Sequence, residues 1–243
     1  MENLVLLHAF PLDSRMFDGV RADLAAVTTV LTPDLRGFGS GPPLGAATPD
    51  LALLADDVVS AMDAAGMARA VVGGVSMGGY VALALLRRHP DRVKGLVLVD
   101  TRCGPDDAAA VERREGVAAR ADAGDVASGP DAIAPLVAAG GSEDTRATLA
   151  AIAGSVPPAT VAWAQRAMAG RADSTPVLAA ASVPVLIVVG EEDAVTPPAA
   201  AHEMAAAARD AELVELPGAG HLTPAEDPGG FAVVVLDWLS RRF

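Results

Sequence analysis

Gly74-Val75-Ser76-Met77-Gly78 sets a serine in the spacing G-x-S-x-G. A serine hydroxyl in such a turn becomes a nucleophile once a base takes its proton. The turn is tight and strained, so neighbours of the serine must lack a Cβ, a need that Gly74, Gly78 and Gly79 meet. The base has to titrate near neutrality, which points to histidine. Of the four histidines, His221 follows Gly218-Ala219-Gly220 in a loop and is the expected base. His89 precedes Pro90 at a helix end, and His202 lies on an Ala-rich surface helix. His8 ends a strand and is expected near the site as a structural hydrogen-bonding residue. A carboxylate must hold the imidazole in one tautomer. Asp193, just past a strand, is the expected acid, with Asp100 at the end of an earlier strand as the alternative. Glu191 and Glu192 read as solvated turn charges.

This chemistry builds negative charge on an acyl oxygen, which needs preorganised donors. The Met77 N–H, at the amino end of the helix after Ser76, is one. The loop His8-Ala9-Phe10-Pro11-Leu12-Asp13 offers a second at Phe10, because Pro11 has no N–H to give. Backbone donors meet the charge, so neither a metal nor an organic cofactor is implied. His8, Phe38, Tyr80 and Trp163 are the candidates for a substrate pocket, though each also reads as an ordinary core residue.

The elements that must position these residues follow from the apolar pattern. Asn3–His8, Ala70–Val75, Gly95–Val99 and Val183–Val189 are short continuous apolar runs, as strands buried on both faces require. Val27–Leu31 and Glu212–Leu216 are weaker strand candidates, each closed by a turn at Pro33 or Pro217. Helical segments are expected at Asp13–Ala25, Pro49–Ala65, Met77–His89, Pro198–Arg209 and Pro228–Arg241. Alternating strands and helices define a parallel sheet with crossover helices on both faces. The alternation stops between residues 105 and 181, an Ala-, Asp- and Arg-rich stretch broken at Gly129, Pro130, Gly140, Gly141, Pro157 and Pro158. It reads as a helical cap, or lid, inserted into a core formed by residues 1–104 and 182–243. Arg113, Arg114, Arg120 and Arg146 on it are ligand contacts or solvated helix charges, the second being favoured because acids are interleaved with them.

The bulk numbers restrict the function classes. At 243 residues one domain with an inserted sub-domain is expected. The formal net charge of −13 opposes binding to a phosphate backbone, so nucleic acid is not an expected partner. No apolar run is long enough for a bilayer, and no membrane association is expected. Cys103 is the only cysteine and Met1–Leu7 lacks the features of a secretory signal, which makes a cytoplasmic location the expectation.

With these residues assembled, the chain resembles the α/β-hydrolase superfamily over nearly its whole length. His8-Ala9-Phe10-Pro11 is similar to the family's oxyanion loop and Asp34-Leu35-Arg36-Gly37-Phe38-Gly39-Ser40 to its Asp-x-Arg-Gly-x-Gly-x-Ser turn. Gly74 to Gly79 resembles its nucleophile elbow, and Gly218 to His221 its histidine loop. The order Ser, Asp, His also matches that family. Within it, the chain is most similar to the esterase, enol-lactonase and cofactor-free haloperoxidase group. Two departures stand out: Ala9 replaces a glycine, and only seven residues precede His8. The resemblance therefore implies a reduced sheet of about six parallel strands, with Asn3–His8 at a central position, flanked by helices. It implies a serine esterase, monomeric or homodimeric, that takes a small-molecule ester or lactone. Enol-lactone, C–C bond or thioester cleavage by the same residues, and a ligand-binding homologue with a dormant site, are the alternatives.

Overall fold

A computed structural model describes residues 1–243. Six strands form one sheet: β1 (Glu2–Leu7), β2 (Thr28–Leu31), β3 (Ala70–Val75), β4 (Val93–Val99), β5 (Val185–Gly190) and β6 (Ala211–Leu216). Their order is β2-β1-β3-β4-β5-β6 and every pairing is parallel. The continuous apolar runs divide between the two faces with period two. Val5, Leu7, Val72, Leu96, Leu98 and Ile187 join one core cluster, and Leu4, Leu6, Val71, Val97, Val99 and Val188 join the other. Burying both faces at roughly 1.5–3 kcal/mol per large aliphatic side chain is the main force holding the sheet to its helices. The two strands with the weaker pattern, β2 and β6, are the sheet's edges. An edge strand is covered less completely, and β6 is half-buried along most of its length, so its sequence needs less apolar character.

Helices α1 (Asp18–Ala25), α2 (Leu51–Ala64) and α3 (Met77–Arg88) alternate with the first strands. The first expected helix is split. Asp13 accepts from Arg15 N–H and opens a 3-10 turn at Ser14–Phe17, and α1 begins only after it. Between β4 and β5 there is no strand. That stretch holds α4 (Ala108–Asp122), α5 (Gly129–Ile133), α6 (Glu143–Gly154), α7 (Pro158–Ala169) and α8 (Thr175–Ala180). It lies against the carboxyl ends of the strands. Thr160 Oγ1 donates to Gly37 O at 3.0 Å, Trp163 Nε1 donates to Ala47 O at 2.9 Å, and Leu136 O accepts from His221 N–H at 2.9 Å. Helices α9 (Pro198–Ala207), α10 (Thr223–Glu226) and α11 (Pro228–Arg242) complete the core. No single helix is long and apolar enough to cross a membrane.

Because all strands point the same way, one edge of the sheet collects the residues that follow them. His8 follows β1, Ser76 follows β3, Asp100 follows β4, Asp193 lies three residues past β5 and His221 five past β6.

Candidate active site

Ser76 sits between β3 and α3 with φ 52° and ψ −112°, a left-handed conformation that costs a non-glycine residue energy. The surroundings over-determine it. Ser76 N–H donates to Val99 O at 2.9 Å, and Ser76 O accepts from Thr101 Oγ1 at 2.8 Å and Gly79 N–H at 2.9 Å. The glycines are needed for close approach. A Cβ on Gly74 would overlap the Gly78 carbonyl, and one on Gly78 would overlap the carbonyl of Leu7. The turn can therefore pack against its own helix and against β1 only while both positions stay bare.

His221 Nε2 lies 2.8 Å from Ser76 Oγ, and His221 Nδ1 lies 2.8 Å from Asp193 Oδ2. The carboxylate only accepts, so Nδ1 carries the proton and Nε2 is left to accept from the Ser76 hydroxyl. Both His221 and Asp193 are buried. Burial by itself would raise the Asp193 pKa. The His221 imidazole and the donors of Thr196 outweigh it and hold the carboxyl below its ordinary value. Val195 N–H (2.8 Å) and Thr196 N–H (2.9 Å) donate to Asp193 Oδ1, and Thr196 Oγ1 donates to Oδ2 at 2.8 Å. Asp193 is thus an ionised, fixed partner for the imidazole. The series can move a proton from an alcohol to an imidazole whose positive charge the carboxylate then stabilises.

Asp100, the alternative acid, does not reach His221. Its φ is 45°, and its carboxylate accepts from Gly190 N–H (3.0 Å), Thr223 N–H (2.9 Å) and Thr223 Oγ1 (3.0 Å). It ties the end of β5 to the segment just after His221. Complete burial, partly offset by His221 and reinforced by Asp193, pushes its pKa up to about 7.

Met77, as the first residue of α3, has no acceptor for its N–H within the helix, and Phe10 N–H likewise donates to no backbone group. His8 is buried and neutral: Nδ1 donates to Ala9 O and Nε2 accepts from Leu35 N–H, each at 3.0 Å, and burial lowers its pKa. It anchors the Phe10 loop to the turn after β2. Asp34 in that turn accepts from Ser14 N–H (2.8 Å) and Ser40 N–H (2.7 Å), binding the same loops together.

A cavity of about 650 Å³ opens at Phe10, within the roughly 300–1,000 Å³ of sites that enclose small ligands, and neither Ser76 nor His221 is among its lining residues. Phe10, Pro11 and Leu136 line it, and it extends between Val117, Val161, Arg120 and Gln165. Of the residues expected in a substrate pocket, none lines this cavity. His8 and Phe38 are fully buried and stack edge to face, Trp163 is bonded to Ala47 O, and Tyr80 lines a separate cavity beneath Arg171. Each lies on an apolar element, and the core claimed it first. Among the insertion arginines, Arg120 does line the cavity, whereas Arg114 donates to Asp106 and Gln165.

Sequence reading missed Glu226. One of its carboxylate oxygens accepts from Ala138 N–H (2.8 Å) and Gly220 N–H (3.0 Å), the other from Leu222 N–H (2.9 Å). With Leu136 O and Asp100, it captures four successive N–H groups, 220 to 223, around His221. The available signal was an acid in the first turn of a helix that Pro224 opens, placed to reach back to N–H groups ahead of it.

Comparison with known proteins follows this geometry. The sequence model described as "Alpha/beta hydrolase family" matches residues 4–234. The chain is 32% identical over 250 residues to a pimeloyl-[acyl-carrier protein] methyl ester esterase of Aromatoleum aromaticum, covering 97% of each. A thermophilic esterase from Thermogutta terrifontis superposes with a TM-score of 0.93 at 35% identity, covering 99% of this chain and 90% of that one. The enol-lactonase from Burkholderia xenovorans superposes with a TM-score of 0.86 at 28% identity, covering 98% and 91%.

Proposed function

Since the chain belongs to the alpha/beta hydrolase family and is a carboxylic-ester hydrolase, we propose that it cleaves esters of small to medium acyl chains through an acyl-enzyme on Ser76. The observation that carries this reading is the unbroken hydrogen-bonded series from Ser76 Oγ through His221 to Asp193, both contacts at 2.8 Å. His221 takes the hydroxyl proton as Ser76 Oγ bonds to the acyl carbon. The carbonyl oxygen becomes an oxyanion held by Met77 N–H and Phe10 N–H. As the tetrahedral adduct collapses, His221 gives its proton to the departing alkoxide. Water repeats the cycle: its proton goes to His221, its oxygen bonds to the acyl carbon, and the acid leaves as Ser76 is reprotonated.

The acyl chain occupies the cavity that begins at Phe10 and Leu136, with residues 105–181 acting as its lid. The esterase relatives support an ester as the substrate, and the methyl ester named in one of them is a natural first test. A lactone is the second reading, favoured by the likeness to an enol-lactonase, since ring opening uses the same attack and the same proton path. A chain-length series of p-nitrophenyl esters, run beside methyl esters and a small lactone panel, tests both. Ser76→Ala is expected to abolish turnover of every substrate that the native enzyme cleaves, with the folded state intact. An unchanged rate rules out the acyl-enzyme.

A further inference from the structure

A second cavity, of about 190 Å³, shares no lining residue with the one that begins at Phe10. It lies between the outer end of α3, the start of α2, residues 102–103 after β4 and the loop between α7 and α8. Four guanidinium groups, those of Arg87, Arg88, Arg102 and Arg171, line it against a single carboxylate, Asp50. In a chain of net charge −13 this concentration of positive groups is out of character.

Part of the charge is already met. Behind the wall, Asp106, its side chain fully buried, takes Arg102, Arg114 and Arg171 together, and those guanidiniums hold its pKa at about 2 despite its burial. Arg88 pairs with Asp56 at 2.8 Å. Asp50 is engaged as the cap of α2, accepting from Ala52 N–H. Arg87 differs: it donates to Asp173 O (2.5 Å) and Ser174 Oγ (3.1 Å) and forms no carboxylate pair.

A second observation concerns the buried donors behind this wall. Only three buried side-chain polar atoms in the protein have no hydrogen-bond partner, and two of them are Nε of Arg102 and Nε of Arg171. Both residues line this cavity, and the Arg171 side chain is only 5% exposed. Both Nε atoms are sealed from solvent, so an acceptor in the cavity meets the terminal N–H groups of the lining arginines instead. Guanidinium groups grip planar or tetrahedral oxyanions through their N–H groups, and four of them line this one cavity. The size is restrictive. The space holds several times the roughly 30 Å³ of one water, yet it falls short of the roughly 300 Å³ at which sites for larger ligands begin.

We propose that this cavity is a binding site for one small oxyanion of the size of inorganic phosphate, separate from the ester site. The bound anion accepts from the guanidinium N–H groups that face the cavity and joins α3 to the segment after β4 and to the loop between α7 and α8. Equilibrium dialysis of the whole chain with radiolabelled inorganic phosphate tests it. Saturable binding of one phosphate per chain is expected. Arg87→Ala, an exposed position that does not threaten folding, should weaken it at least about tenfold, and Arg102→Met should do the same. Competition with sulfate and with malonate sorts an inorganic from a carboxylic ligand, and displacement by either supports the site. Thermal unfolding at matched ionic strength gives an independent readout: phosphate raises the Tm above chloride in the native chain and not in Arg87→Ala. Absence of saturable binding, or equal binding by native and both variant proteins, overturns the proposal. Ester hydrolysis by Arg87→Ala should stay at the native rate, so this result stands apart from the fate of the ester-site reading.

Discussion

The turn around Ser76 and the loop around His221 face each other across 2.8 Å, and they are held by different balances of packing and hydrogen bonding. The Ser76 turn is fixed by close backbone packing together with hydrogen bonds to Val99 O and Thr101 Oγ1. Bare α-carbons at Gly74 and Gly78 let β3, α3 and the end of β1 close on one another, and the left-handed backbone at Ser76 follows from that packing. The His221 loop also has close approaches, since a Cβ on Gly190 would overlap the carbonyls of Ala219 and Gly220 and one on Gly220 would press on Ala138 N. Its backbone is held by acceptors brought from elsewhere: Glu226 from the next helix, Leu136 from the insertion and Asp100 from the end of β4. The backbone on the serine side is therefore held mainly by close packing around bare α-carbons, and that on the histidine side mainly by a carboxylate and a carbonyl from other elements.

The comparison is broken most severely on the serine side. Gly74→Ala places a methyl group into the Gly78 carbonyl, backbone that cannot rotate away. A loss of about 3 kcal/mol or more in unfolding free energy is expected, together with loss of activity. Denaturant titration beside an esterase assay checks this, and a near-native midpoint would show that the turn has more slack than its contacts imply.

A smaller effect, of a different kind, is expected on the histidine side. Glu226→Gln keeps the shape but turns an amide NH2 toward N–H groups that need an acceptor. The fold should persist while His221 loses its alignment with Ser76. We expect kcat to fall about a hundredfold with KM nearly unchanged, in keeping with the cost of a misplacement near 1 Å. Equal losses in kcat and stability would make Glu226 a purely structural residue.

The smallest effect concerns pH. The folded protein keeps the Asp100 proton up to about pH 7, whereas the unfolded chain releases it near the ordinary value of 3.8. The folded state therefore binds more protons across that interval, and the contribution of this group to stability falls as pH rises from about 4 to about 7. Asp100→Asn should flatten the profile within that window. An unchanged slope in denaturant titrations would mean that the three donors around Asp100 keep it ionised throughout.

The same contrast explains what could be read without coordinates. Sheet, helices and the Ser76 turn were legible because their signals are local: apolar runs, proline and glycine stops, and a serine where a strand meets a helix. The edges β2 and β6 were faint because an edge strand needs less apolar sequence. The contacts among Ser76, Asp193 and His221 were foreseeable only because each follows a strand of one parallel sheet. Glu226 and Leu136 were not foreseen, since backbone hydrogen bonds from distant segments leave little trace in a motif. The pocket candidates His8, Phe38, Tyr80 and Trp163 do not line the cavity that begins at Phe10, for a related reason. An aromatic side chain looks the same in sequence whether it faces a ligand or the core, and here other side chains of the insertion line the cavity.

The central claim is that the Ser76 hydroxyl is activated by His221. Treating native protein and His221→Ala with a fluorophosphonate, followed by peptide mass spectrometry, tests it most directly. The account predicts one adduct per chain, on Ser76, in the native protein and almost none in the variant. A folded native protein that resists labelling, or that carries the adduct on another residue, would contradict it.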